Sequence, residues 1–124
     1  MRYAKRTDKS QADIVADLRK CGIHTLVTNM GDDFPDIITG HKQWVLIEIK
    51  EPDGDVSRGQ VRFIVDSSCP VGVAVGFDEA KALAVDPDAH AITHEQKNAL
   101  AKWLVKHPYQ ESVSIKKFFG VLNA

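Results

Sequence analysis

The pattern of apolar and polar positions is sharpest in Trp44-Val45-Leu46-Ile47-Glu48-Ile49-Lys50. Side chains of a strand alternate between its two faces. Trp44, Leu46, Glu48 and Lys50 therefore share one face, and Val45, Ile47 and Ile49 the other. A strand apolar on both faces is central in its sheet, so Gln43 to Lys50 is read as the long inner strand. Upstream, Pro35 holds the chain extended before a short strand, Asp36 to Thr39, and Gly40-His41-Lys42 is the tight turn of an antiparallel hairpin. His24 to Thr28 reads as a further strand, separated from the hairpin by the turn residues Asn29-Met30-Gly31-Asp32-Asp33.

Helical periodicity appears before and after these strands. Gln11, Ile14, Val15 and Leu18 fall on one face of a helix predicted from Ser10 to Cys21, with Gly22 as its terminator. Ser57-Arg58-Gly59-Gln60 is a capping box opening a helix to about Asp66. Pro70 to Gly76 is a buried strand with small residues, followed by a helix from Asp78 through Ala84. Thr93-His94-Glu95-Gln96 is a second capping box, opening a helix with Leu100, Trp103 and Leu104 inward that ends at Pro108. The tail from Ser112 to Leu122 fits a helical turn or a strand. The order is α-β-β-β-α-β followed by helices: an α/β fold with a mixed sheet flanked by helices.

Composition changes this picture little. A chain of 124 residues fits one domain, with a core over about 10–80 and a C-terminal helical extension over about 93–124. No apolar run approaches a membrane span, and the charged N-terminus lacks the apolar region of a secretory signal. Cys21 and Cys69 read as free buried thiols in a reducing cytoplasm. The net charge of −1 does not announce a nucleic-acid binder, although Arg2, Lys5, Arg6 and Lys9 crowd the N-terminus.

The candidate chemistry lies on the hairpin. A paired strand headed by Asp36 can bring its carboxylate beside Glu48, two positions before Lys50. Two carboxylates about 4 Å apart repel by roughly 4 kcal/mol at an effective dielectric near 20, and a divalent cation reverses that sign. Two such acids with a neighbouring ammonium make a hard-cation site with a group that can orient a water, as phosphodiester cleavage requires. The alternative is an ion pair between Lys50 and one acid at a strand end.

Pro35-Asp36 … Glu48-Ile49-Lys50 resembles the motif of the PD-(D/E)XK nuclease superfamily. The resemblance covers about Ser10 to Ala80 and is strongest to the small stand-alone VRR-NUC nucleases and the archaeal-type Holliday junction resolvases. It implies a restriction-endonuclease-like core and a Mg²⁺-dependent cytoplasmic DNA endonuclease, with Mn²⁺ able to substitute. Branched DNA would be the substrate and a homodimer the working unit. Asp36, Glu48 and the Ile49 carbonyl would hold the metal, and Lys50 would position or help activate the attacking water. Gln60 falls where the family has a glutamine near the active site, although it is also the capping residue of its helix. Gln11 stands where the family has glutamate, with Asp13 on the opposite helical face. That loss of charge keeps open a second reading, a nuclease-fold DNA-binding module or subunit with impaired catalysis. Arg58, Arg62, Lys5, Arg6 and Lys9 are the expected DNA contacts. His90 and His94 are surface residues rather than a metal pair. Phe118 and Phe119 are assigned to the core, with a dimer surface as the alternative.

Overall fold

The computed structural model describes residues 2–31 and 33–124, with side chains from Ser10 onward; the side chains of Lys5, Arg6 and Lys9 lie outside the described residues. The chain runs α1 (Arg2–Lys20), β1 (His24–Val27), β2 (Ile37–Gly40), β3 (Trp44–Ile49), β4 (Asp55–Ser57), α2 (Arg58–Asp66), β5 (Val71–Ala74), α3 (Phe77–Val85), α4 (Pro87–His90), α5 (His94–Lys106), β6 (Ser112–Ser114) and α6 (Ile115–Leu122). Among the described residues the strands form a four-stranded sheet, ordered β1-β2-β3-β5, and a separate two-stranded sheet, β4-β6. The large sheet is mixed: β2 is antiparallel to β1 and β3, and β5 is parallel to β3. The expected α-β-β-β-α-β order is present, with the short β4 inserted before α2.

Each face of the large sheet buries its own apolar cluster, as the alternation in β3 requires. Val45, Ile47 and Ile49 pack with Ile37 against Ile14, Val15 and Leu18 of α1 and against Ala80, Leu83 and Ala84 of α3. On the opposite face Leu46, Val71 and Val73 pack with Val61 and Ile64 of α2, Leu100, Trp103 and Leu104 of α5, and Phe118 of α6. The C-terminal elements thus complete one side of the core. Phe118 is fully buried and Phe119 partly so, which answers the core-or-surface question for Phe118.

Several boundaries differ from the sequence reading. α1 begins eight residues before the expected Ser10; its first residues carry no apolar stripe, but they contain neither glycine nor proline and nothing in them opposes helix. Its end is as expected. Gly22 adopts φ 79°, the Gly22 amide donates to the Arg19 carbonyl (3.0 Å) and the Ile23 amide to the Leu18 carbonyl (3.1 Å), a Schellman closure. The ambiguous tail is both things in turn, a three-residue strand and then a helix. Cys21 and Cys69 are free but exposed, not buried, because one follows the helix terminus and the other lies in the loop before β5. No helix among the described residues is long and apolar enough to cross a membrane.

Arg58 ties the two helices of the second face together. Its guanidinium donates to the carbonyls of Leu104 (2.8 Å), His107 (2.7 Å) and Gln110 (3.4 Å), around the C-terminus of α5. Those carbonyls have no partners within the helix and carry partial negative charge, so a planar cation suits them. Replacing Arg58 with alanine should lower unfolding free energy by about 1–3 kcal/mol in urea titrations. Lysine should recover only part of that, since one ammonium cannot span the three acceptors. An alanine variant within about 0.5 kcal/mol of wild type would show the contact to be without energetic weight.

Candidate active site

The register of the hairpin decides which residues meet. Ile37 of β2 lies opposite Ile47 of β3, and Ile38 opposite Leu46. One step further out, the same register sets Asp36 opposite Glu48, and directly opposed residues share a face. Backbone bonds extend the ladder to this position: the Thr28 amide donates to the Asp36 carbonyl at 3.1 Å. The Asp36 carboxylate is fixed as well, because its Oδ2 accepts the Ile49 amide at 2.9 Å. On the other side of β3 the Lys50 amide donates to the Ala74 carbonyl at 2.9 Å. In a trans peptide the preceding carbonyl points the opposite way, so the Ile49 carbonyl turns toward the Asp36 side of the strand. Asp36, Glu48 and the Ile49 carbonyl therefore lie together at the end of β3.

Glu48 is the anomalous residue of this group. It is 5% exposed, among the most buried polar side chains described. Its Oε2 accepts from Gln60 Nε2 at 2.7 Å and lies 3.3 Å from Lys50 Nζ. Its Oε1 is buried without a hydrogen-bond partner. Burial pushes the Glu48 carboxyl up to about 7, the charge of Asp36 pushes in the same direction, and Lys50 with a hydrogen bond from the Asp36 backbone only partly offsets them. A buried carboxylate with an unmatched oxygen, facing a second acid, is costly for a folded protein.

That cost is the test of whether a divalent cation fits. No group of three or more His, Cys, Asp and Glu side chains is clustered for a metal among the described residues. A Mg²⁺ site needs fewer, since this ion keeps several waters and binds through one or two carboxylates. Asp36 and Glu48, with the unmatched Glu48 oxygen and the backbone carbonyl of Ile49, fit that requirement.

Gln60 caps its helix and donates to Glu48 at the same time. Its Oε1 accepts the Ser57 amide at 2.9 Å, while the Gln60 amide is capped by Ser57 Oγ at 3.0 Å. The cap fixes which end of the side-chain amide faces outward, so Nε2 is presented to Glu48. The helix cap thereby orients the buried acid.

The remaining candidates separate. Arg62 is exposed on α2, whereas Arg58, expected on DNA phosphates, is turned to the carbonyls of α5. Gln11 is half-buried above Ile14 and does not line the cleft of about 300 Å³ at the end of β3. That cleft is walled by Ser10, Asp13 and Ile14 of α1, by Ile49 and Lys50, and by Val75 and Gly76. Exposed Asp13 therefore shares that cleft with Lys50, whereas Asp36, Glu48 and Gln60 do not line it. The helical pattern gave no signal for this: Asp13 is exposed and lies nearly opposite the Ile14–Val15–Leu18 stripe. His90 and His94 are exposed, as expected.

The chain matches no protein-family model, and no curated protein or solved structure is significantly similar to it.

The raised Glu48 carboxyl sets a pH dependence. Between about pH 4.5 and 7 the folded protein holds a proton that the unfolded chain has released. Stability contributed by this group is therefore greatest at the acid end of that window and falls as pH rises through it. Glu48→Gln should flatten this component and raise the metal-free melting temperature by a few degrees at about pH 8. Thermal melts in chelator across pH check it; a variant that melts below wild type at about pH 8 would show the Lys50–Glu48 pair to be a net stabiliser instead.

Proposed function

We propose that this chain is a metal-dependent DNA endonuclease on the PD-(D/E)XK plan, hydrolysing phosphodiester bonds. The observation that carries the reading is Glu48: a buried acid beside Asp36, with one oxygen unmatched and Lys50 at the other. Few structural roles reward that arrangement, and a cation site does. A restriction-endonuclease-like core, branched DNA as substrate and a homodimer as the working unit belong to the same proposal and come from the motif resemblance.

Asp36, Glu48 and the Ile49 carbonyl would hold a Mg²⁺, which when bound supplies Lewis acidity and neutralises charge on the phosphate. The chain's own residues do the rest. The Ile49 amide holds Asp36, and Gln60 holds Glu48, so neither acid needs to reorganise as charge develops. Lys50, 17% exposed in its side chain, reaches the cleft from the same strand end. Beside Glu48 its ammonium can donate to an attacking water and to a phosphate oxygen. Water adds to phosphorus and releases a proton to solvent, the bond to the leaving sugar oxygen breaks, and that oxygen takes up a proton from solvent.

A second reading, a DNA-binding module with impaired cleavage, is favoured by the neutral Gln11. Asp13 in the Lys50 cleft weakens it by providing a carboxylate from the same helix.

Cleavage of linear duplex, flap and four-way junction DNA with Mg²⁺ or Mn²⁺ tests the proposal. Lys50→Ala should abolish cleavage while leaving the fold and DNA affinity intact; activity within tenfold of wild type would remove its catalytic role. In the same assay Asp13→Asn should raise the Mg²⁺ concentration needed for half-maximal cleavage, and Gln11→Glu should change it less. The reverse pattern would return the role to Gln11.

A further inference from the structure

The face of the sheet that carries Asp36 and Glu48 continues into a cavity of about 760 Å³ between the hairpin and α2. Its floor is Ile38 and Leu46, and Trp44, Phe34 and Phe63 line it. Ile38 and Leu46 lie two residues from Asp36 and Glu48 along the same strands. At a strand rise of ~3.3 Å per residue, the floor is about 7 Å from the acids, or about two stacked base steps of ~3.4 Å. α2 connects the two places: Gly59 lines the cavity, and Gln60, the next residue, holds Glu48.

The walls are flat and preorganised. Phe34 and Phe63 meet edge to face, with centroids 5.2 Å apart. The Trp44 ring lies across Gly40, where an added Cβ would come within 2.7 Å of it, and His24 packs on the ring at 5.5 Å. Despite these supports Trp44 remains 51% exposed. The rim holds one cation, Arg62, and two acids, Asp33 and Asp66. Asp33 folds over the first turn of α2 because Gly59 has no side chain; a Cβ there would collide with its carboxylate.

We infer that this cavity receives an unstacked nucleobase from the DNA strand whose phosphate lies at Asp36 and Glu48, an inference that rests on the nuclease reading. The chemistry selects a base over other occupants. Flat aromatic walls match the π-faces of any base. Carboxylates at the rim accept from the N–H groups of a base edge, cytosine N4 among them, and would repel a phosphate. Arg62 is the one rim group suited to the backbone beside that base. The site would then act where a nucleotide about two steps from the cut is already unpaired, because extruding a paired base costs a few kcal/mol.

The test is binding in chelator, with no cleavage, to an oligodeoxycytidylate of about ten nucleotides and to an abasic strand of equal length. The chain has two tryptophans, and Trp103 is buried at 9% exposure, so a change in fluorescence on binding reports Trp44. The expected result is quenching by the base-bearing strand alone, with affinity about 5- to 100-fold above the abasic strand. Trp44→Ala should reduce that advantage, and Phe63→Leu, which preserves an apolar side chain in α2, should do the same without altering abasic binding. Equal affinity for both strands, with Trp44 undisturbed, would overturn the inference while leaving the nuclease reading to the cleavage assay. Binding of neither strand would overturn it too, and if no DNA is cut either, the nuclease reading falls with it. A Trp44 signal that depends on protein concentration without DNA would assign the cavity to a second copy of the chain and also overturn the inference.

Discussion

The buried carboxylate of Glu48 is the constraint on which the site depends. Burial costs a charged group its water, and the protein recovers only part of that loss. Lys50 and Gln60 occupy one oxygen; the other has no partner. The carboxylate of Asp36, set opposite by the hairpin register, adds repulsion, which Lys50 and the Asp36 backbone only partly offset. An apolar residue at this position would pack on the central strand without any of these costs. Under the proposed function, a bound divalent cation would offset these costs.

The fold keeps that acid in place by local means. Gln60 reaches Glu48 because the Ser57 cap has already fixed its amide, and Asp36 is held by the amide of Ile49, next to Glu48 on β3. Helix cap, hairpin register and the parallel contact to β5 converge within a few residues. The other face of the sheet, packed by α1 and α3, brings Asp13 to the Lys50 end of the strand. The C-terminal elements act at longer range. They pack against α2, and Arg58 anchors α2 to α5, so the helix carrying Gln60 is held at its first turn and along its apolar face.

What the sequence disclosed follows from the range of each interaction. The faces of β3, the hairpin, both capping boxes and the end of α1 at Gly22 depend on residues a few positions apart, and all were legible. Asp36, Glu48 and Lys50 were legible because strand alternation and one turn suffice to bring them together. The pairing of β4 with β6 was not, since three-residue strands carry no periodic signal and their partners, Ser57 and Ser112, are distant in the chain. Arg58 was assigned to DNA because its true acceptors lie more than forty positions away. Asp13 reaches the Lys50 cleft through the packing of α1 against the strand end, which helical periodicity does not encode. The exposure of both cysteines came from loop positions that composition cannot place.

The most direct measurement is calorimetric titration of Mn²⁺ into metal-free protein, for wild type, Asp36→Asn and Glu48→Gln. Wild type should bind the cation at a saturable site that either substitution removes or severely weakens, while both variants remain folded. Absence of binding to wild type, or wild-type binding by both variants, would contradict the assignment of Asp36 and Glu48 as a cation site.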